Sequence, residues 1–479
     1  MILFLVSILF LLLHIIFYNS VKINRILIVF ACFLICFVYI SLAANSTNPK
    51  YFYPKKQLQI YPFTGNYYNW LTFNLTQFRL DLDVDKNFVN YLTDGIDKNL
   101  LQSNNIDVYV KNFYDASIYK NKVYLYFGIT PILLFYLPFY LVTGYFLSDH
   151  FVVLFSSLFI FLLQILIYKR ISKLLNKNKT LTVVPVLIFG LCSGIILTYI
   201  SITIHLIPII ISIFCSLVAI YFFLLLFDDK YSNIKMFFIG LFLALAVGAR
   251  PASIFLLILI FVLLLYNFNI KRYWKQYLCF IIPVIFYGTV LALYNYLRFD
   301  SIFDFGIKHQ FSPNYMMNIP KSFYFIIQHL FYNIFHFPNF FTTNPYVIFN
   351  NASINHFEPC VGGFIVAPTI LANLFVFNKF NLLYEYKKVF LLFAGTFFIS
   401  FIYLLVNSYY GSTARYIAEY LFLLLVPSLT LFYLFVENIN NDKLKNILTI
   451  LFYIFVVFSL YVNTNLIGCI FLMSKNGLI

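Results

Sequence analysis

The stretch from Ala44 to Val123 carries Asp81, Asp83, Asp85, Asp94, Asp97, Asp107 and Asp115 and no glutamate. A carboxylate placed beside a substrate serves as a general base or as a ligand for a divalent cation. The spacing of Asp81, Asp83 and Asp85 sets three carboxylates on one side of a strand or along a turn, which suits a cation and equally suits a solvated surface. Asp115 stands apart, just before a new apolar run, in Tyr114-Asp115-Ala116-Ser117-Ile118-Tyr119. There it is expected either to face the membrane interface as a base or to cap the turn that follows.

The cations are as informative as the acids. Arg250 interrupts an apolar stretch, and a cation at mid-bilayer costs about 2.5 to 3.5 kcal/mol on insertion scales. It therefore requires a partner: a lipid phosphate held by its fork, headgroups reached by snorkelling, or a carboxylate of the protein. Arg415 and Tyr416 precede another apolar run and offer a second phosphate contact or an ordinary interfacial anchor. Arg298, Asp300, Asp304, Lys308, His309, Asn355, His356 and Glu358 lie among aromatics and asparagines, a composition that suits sugar hydroxyls and ring faces. No His-Glu-x-x-His run supports zinc, and of the seven scattered cysteines all but Cys360 sit in apolar segments, so no metal centre is expected from them. A Walker loop, a dinucleotide fingerprint and a Gly-x-Ser-x-Gly elbow are likewise missing from the sequence, which leaves cytoplasmic nucleotide chemistry without a motif.

These residues must be positioned by elements that live in lipid. The chain has 479 residues, 62% of them hydrophobic and 10% charged, with a mean hydropathy of +0.87. Soluble domains carry about 25% charge. The apolar residues arrive as separate runs close to the roughly 20 residues that a helix needs to cross the hydrocarbon. The expected fold is an all-α, polytopic membrane protein forming one integral domain over residues 1–479. About twelve spans are read: Ile2 to Phe17, Ile26 to Leu42, Phe151 to Tyr168, Leu181 to Ile200, Ile204 to Phe227, Met236 to Val247, Ala252 to Phe268, Tyr277 to Leu297, Gly363 to Phe377, Val389 to Val406, Glu419 to Val436 and Ile447 to Asn463. The first of these lacks a basic n-region and a small-residue cleavage site, so it is expected to be a retained span.

The net charge of +15 raises the question of nucleic acid, but the basic residues cluster in the short connections between spans. This is the positive-inside pattern, so membrane lipids and not nucleic acid are the expected partners. Placing the clusters at Lys22 and Arg25, Lys169 to Lys179, Lys230 and Lys235, Lys271 to Lys275, Lys379 to Lys388, and Lys443 and Lys445 in the cytoplasm fixes the orientation. Two large extracytoplasmic loops follow, over residues 44–123 with short interfacial helices, and over residues 298–362. The run Pro131 to Gly144 would invert every later span if it crossed, so parity and its two prolines predict a re-entrant or interfacial helix. Gly248-Ala249-Arg250-Pro251 predicts a turn near the outer side.

Several stretches together resemble the bacterial membrane glycosyltransferases of superfamily C. They are Asp115-Ala-Ser-Ile-Tyr119 and Lys122-Val-Tyr-Leu-Tyr-Phe-Gly128 with Pro131 and Leu137-Pro138-Phe139, then Gly248-Ala-Arg-Pro251, then Tyr294-Asn-Tyr-Leu-Arg-Phe299 with Asp304-Phe-Gly306, and Ala414-Arg-Tyr416. The resemblance covers about Tyr61 to Pro427. It implies transfer of a sugar from a polyprenyl-phosphate carrier to a glycan, lipid or protein acceptor, on the extracytoplasmic face of a bacterial plasma (inner) membrane. An aspartate of the first loop would be the base, and Arg250 or Arg415 would hold the carrier phosphate. Better-known members place an acidic pair soon after the span entering the first loop. Here Ala44 to Tyr68 holds no acid, which moves the base to Asp81, Asp83 or Asp115. Two rival expectations are a transporter or flippase for lipid-linked saccharides and a non-catalytic assembly protein.

Overall fold

The computed structural model describes the chain apart from residues 19, 46–53, 57–66, 83, 85–115, 176–181, 201, 203, 228–231, 312–321, 344–345, 354–355, 378–386 and 476–479, and apart from the side chains of 351–358 and 475. It is almost entirely helical. In chain order the α-helices are α1 (Ile2–Ile16), α2 (Val21–Asn45), α3 (Tyr67–Thr76), α4 (Leu137–Thr143), α5 (Asp149–Leu174), α6 (Val183–Leu191), α7 (Leu206–Leu225), α8 (Asn233–Ala249), α9 (Ile254–Asn267), α10 (Trp274–Phe299), α11 (Phe323–Phe335), α12 (Gly363–Val366), α13 (Lys387–Tyr410), α14 (Ala414–Glu437) and α15 (Asp442–Lys475).

Among the described residues, seven helices are long and apolar enough to cross a membrane: α2, α5, α7, α10, α13, α14 and α15. The chain is thus a multi-pass membrane protein by helix length and composition. The other five expected spans take shorter or broken forms. α1 has 15 residues and α8 has 17. At about 1.5 Å per residue, either falls short of a hydrocarbon layer of about 30 Å. The run from Leu181 stops as an α-helix at Leu191, bends over Cys192–Gly194 and resumes as a 3-10 turn, Ile195–Tyr199. Gly363 to Phe377 folds as α12 followed by a 3-10 segment, Pro368–Phe377. Hydropathy reports burial from water: α6 and its 3-10 continuation obtain it wholly from neighbouring protein, whereas α1 turns most of its side chains at least partly outward.

The packing order explains why. α14 and α7 are almost wholly enclosed, whereas α2, α10 and α15 show long apolar faces outward. On α2 the exposed stripe is Phe30, Phe33 and Phe37, and on α10 it includes Ile282, Ile285 and Phe286. Contiguous apolar surface of this extent marks a face turned to lipid or to another protein. α8 packs against both α7 and α10. Gly240 lets α8 approach α10 closely, since a Cβ there would collide with the Phe280 carbonyl. Small residues serve helix contacts in lipid in this way.

The run Pro131 to Gly144 forms a π-helical turn, Ile132–Tyr136, continued by α4. At about 1.5 Å per residue it is shorter than a bilayer of about 30 Å, as are α1, α8 and α9. Its outer flank is exposed and apolar at Leu141 and Val142. Its inner flank is anchored: Tyr136 stacks on Tyr68 of α3 with ring centres 5.3 Å apart and donates its hydroxyl to Asp149 at 2.5 Å.

Among the described residues, sheet consists of three antiparallel pairs outside the long helices. The best formed is the hairpin β1 (Ala116–Tyr119) with β2 (Lys122–Leu125). Lys120 and Asn121 both adopt positive φ, 48° and 56°, at its turn. Two such residues give a turn whose twist matches the strands, though without the Asn-Gly or Asp-Gly pair that usually announces it.

Candidate functional site

The two polar stretches that the sequence separates are joined at the hairpin. Ser117 bridges to Gln310, and Phe311 N donates to the Ala116 carbonyl at 2.7 Å. Ser117 Oγ donates to the Gly306 carbonyl at 3.1 Å. Asp300, just past α10, receives the Tyr119 hydroxyl at 2.9 Å and Lys120 Nζ at 2.5 Å. Those two donors, Lys120 first, hold the Asp300 carboxyl below the usual carboxylate range, and the same contacts raise Lys120 and Tyr119. The stretch beginning at Ala116 therefore sits against the stretch ending at Gly306.

Arg298 fastens the base of this assembly. It is buried, donates from Nη1 to the Leu125 carbonyl at 2.6 Å and from Nη2 to Asn295 Oδ1 at 2.8 Å, and lies 3.7 Å from the Tyr294 ring centre. The residue proposed as a ligand contact is placed as a clamp between α10 and β2. His309 is likewise held from several sides. Its Nε2 lies 3.2 Å from Asp304 Oδ2, and its ring packs on Tyr119 and Phe299.

The chain leaving β2 runs directly to the Arg250 turn. A Cβ on Gly128 would collide with the Gly248 carbonyl oxygen, so only glycine permits this approach of the two backbones. Thr130 and Tyr287 meet at 2.5 Å beside it. α8 ends at Ala249, Arg250 is extended with φ −140°, and Pro251 opens a 3-10 turn into α9. This is the break that Gly248 and Pro251 predicted.

Arg250 has a protein carboxylate as its partner. Its Nε lies 2.9 Å from Glu419 Oε1, and its Nη2 is 3.4 Å from Asn407 Oδ1. Asn407 Nδ2 completes the group by donating to Glu419 Oε2 at 2.9 Å. The Arg250–Glu419 contact is an ion pair set off the N–H axis, so Oε1 keeps no aligned hydrogen bond. Tyr416 and Glu419 are three residues apart on α14 and so share a face. The Arg250 guanidinium stands 5.8 Å from the Tyr416 ring, and that of Arg415 stands 5.5 Å from it. Arg250 keeps 23% of its side-chain exposure and Glu419 only 6%, so the open side of the cluster is cationic and aromatic.

Of the acidic candidates, Asp83 and Asp115 fall outside the described residues. Asp81 is described. It pairs with Arg79 at 2.6 Å and bridges to Tyr124 of β2. Burial pushes its carboxyl up, but the Arg79 hydrogen bond and charge outweigh this and hold it below the usual range. Glu358 lies on the strand His356–Cys360, and its side chain is not among those described. Among the described residues no three histidine, cysteine or acidic side chains gather as a cation site.

Glu419 and Asn407 are the partners that sequence reasoning did not single out. An acid opening an apolar run is itself an unusual residue, and that was the available signal. No protein-family profile, curated protein or solved structure matches this chain.

Proposed function

We propose that the chain is a membrane glycosyltransferase that moves a sugar from a polyprenyl-phosphate-linked donor to an acceptor on the outer face of the membrane, in the manner of superfamily C enzymes of the cell envelope. In this reading the spans and broken segments make about twelve crossings, the basic clusters face the cytoplasm, and residues 44–123 and 298–362 lie outside. The membrane is a bacterial plasma membrane.

One observation carries the reading: stretches remote in sequence converge. The hairpin after Asp115 packs on Gly306, Gly128 meets Gly248, and Arg250 reaches Tyr416. In the proposed reaction an acceptor hydroxyl loses its proton to an aspartate, attacks the sugar carbon, and displaces the carrier phosphate. Asp115 is the preferred base, with Asp83 and Asp81 behind it. Asp81 is the weakest of them, because its pairing with Arg79 lowers its basicity. Arg250 and Arg415 would stabilise the departing phosphate. Glu419 and Asn407 engage Arg250 through Nε and Nη2, leaving Nη1 to face an anion. A divalent cation in the first loop would help the same departure.

The test is turnover of polyprenyl-phosphate sugars by the purified chain, with Asp115→Ala and Arg250→Ala made separately. Loss of carrier cleavage in both supports the reading, and unchanged cleavage in both removes this site. Carrier that crosses reconstituted vesicles uncleaved would instead support a flippase.

A further inference from the structure

α11 belongs to the second polar stretch, residues 298–362, yet its faces are reversed from those of a helix in water. Its two buried residues are His329 and Asn333, four apart and so on one face. The residues it turns outward are Phe323, Tyr324, Ile327, Phe331 and Phe335, with relative exposures from 40% to 80%. All but Tyr324 recur every fourth residue, which makes one broad stripe along the helix. A helix at a water surface buries its apolar stripe and wets its polar face. In hydrocarbon the preference inverts, and Asn, His and Ser side chains bond to neighbouring helices instead.

The buried face is held in that second way. Asn333 Nδ2 donates to Ser408 Oγ at 3.1 Å and to the Gly411 carbonyl at 3.4 Å, and His329 Nδ1 lies 2.8 Å from Ser412 Oγ. Tyr420 of α14 donates its hydroxyl to the Asn333 carbonyl at 2.7 Å. Going from His329 to Asn333 on α11 corresponds to going back from Ser412 to Ser408, so α11 runs antiparallel to α13. α13 is long and apolar enough to span, and it turns Phe398, Phe401 and Leu405 outward. The Phe335 end of α11 therefore points along α13 toward the middle of the layer. That end packs on Phe364, with ring centres 5.6 Å apart.

Charge distinguishes an embedded helix from one resting on headgroups. A helix on the headgroups carries a strongly charged polar face. Between Lys321 and Glu358 the sequence has no aspartate, glutamate, lysine or arginine. Past the end of α11, Phe337, Phe340 and Phe341 are exposed as well. Neither water nor a charged headgroup layer suits such a surface, and acyl chains do.

We propose that α11 is embedded in lipid, its aromatic stripe among the acyl chains and its Phe335 end deeper than its Phe323 end. The second polar stretch is then a membrane-inserted element over α11 and not a wholly aqueous loop. With the basic clusters in the cytoplasm, the leaflet is the outer one. The last turn of α13 presents Asn407 to Glu419 and Ser408 to Asn333, so the embedded helix and the Arg250 cluster share one support. The embedding stands independently of the transfer reaction proposed above.

Tryptophan fluorescence of the full chain in phosphatidylcholine vesicles tests the proposal. In a Trp274→Phe parent, whose remaining tryptophan is Trp70, Ile327→Trp, Phe331→Trp and Phe335→Trp are made one at a time. Each reporter is read as the difference from that parent. The expected result is loss of most of the reporter emission when the acyl chains carry bromine, with little loss to iodide in the water. Bromine placed low on the chain quenches Phe335→Trp more than Ile327→Trp. Lys120→Trp at the exposed hairpin turn shows the opposite behaviour, quenched by iodide and not by bromine. Melting temperatures confirm folding, and three positions on one stripe keep the result readable if one of them is not tolerated. Quenching of the stripe by iodide alone would put it in water and overturn the proposal. Quenching by neither agent would mean that protein, a second copy included, covers the stripe, and would overturn it equally. A flat or reversed depth order would overturn the inclination of the helix.

Discussion

Arg250 Nε and Glu419 Oε1 stand 2.9 Å apart, tying the turn between α8 and α9 to the first turns of α14. Removing one partner of a buried pair leaves an uncompensated charge, at about 3 to 5 kcal/mol where burial is complete. Arg250 retains some exposure, so Glu419→Gln should fall toward the lower end of that range. Thermal unfolding in detergent should show a lower midpoint for Glu419→Gln and for Arg250→Ala. The double variant should lose less than the sum of the two, with a coupling of about 1 to 3 kcal/mol. Additive losses would mean that the pair is not formed in the folded protein.

Two glycine substitutions separate close approach from helix propensity. Gly128→Ala drives a methyl group into the Gly248 carbonyl and should displace the Arg250 turn, lowering both yield and melting temperature by an overpacking cost of about 1 to 3 kcal/mol. Gly288→Ala lies within α10 with nothing near its added carbon, and should be neutral or stabilising by up to about 1 kcal/mol. The reverse order of the two melting temperatures would contradict the packing of Gly128 on Gly248.

Arg298 should tolerate no conservative exchange. Lysine cannot reach the Leu125 carbonyl and Asn295 Oδ1 with a planar fork, nor stack in the same way on Tyr294. Each lost charge-assisted bond costs about 1.5 to 3 kcal/mol. Arg298→Lys should therefore loosen the hairpin, read as faster amide exchange at Val123 and Leu125, whereas a residue serving only a ligand would leave exchange unchanged.

Acid should weaken the hairpin region in a defined direction. Asp81 and Asp300 both have carboxyls lowered in the folded protein. A depressed folded value contributes stability above the unfolded value of about 3.9, and that contribution disappears as pH falls through the folded value. Melting temperature should thus carry no contribution from these groups' titration between neutrality and about pH 5, and should drop below about pH 4. Asp300→Asn should reduce the drop, and an unaltered acid limb in Asp81→Asn combined with Asp300→Asn would refute the role of these pairs.

The parts of this arrangement differ in how visible they are in the sequence. Long apolar runs announce α2, α5, α7, α10, α13, α14 and α15, because hydrocarbon demands helical backbone. The break at Arg250 follows from Gly248 and Pro251. The hairpin is hidden, since Lys120 and Asn121 adopt positive φ without a glycine to mark it. The pairing of Arg250 with Glu419 is hidden for another reason. Each residue alone is visibly costly in an apolar run, but a contact between α14 and a distant turn is decided by packing that local sequence does not encode. Arg298 reads as one of the loop residues suited to a sugar for the same cause, and its contacts with the Leu125 carbonyl and the Tyr294 ring are not announced.

The seating of α3 has a consequence for how this region withstands attack. Tyr68 is sandwiched onto Tyr136, whose hydroxyl reaches Asp149, and Asn69 donates to the Leu147 carbonyl at 2.7 Å. Opening α3 therefore requires prising these contacts from α4 and α5, so its amides belong to a high-stability cooperative unit even though the surrounding sequence is rich in asparagine and aspartate. A protease presented at that face should spare Tyr67–Thr76 for as long as the helices beneath it remain folded.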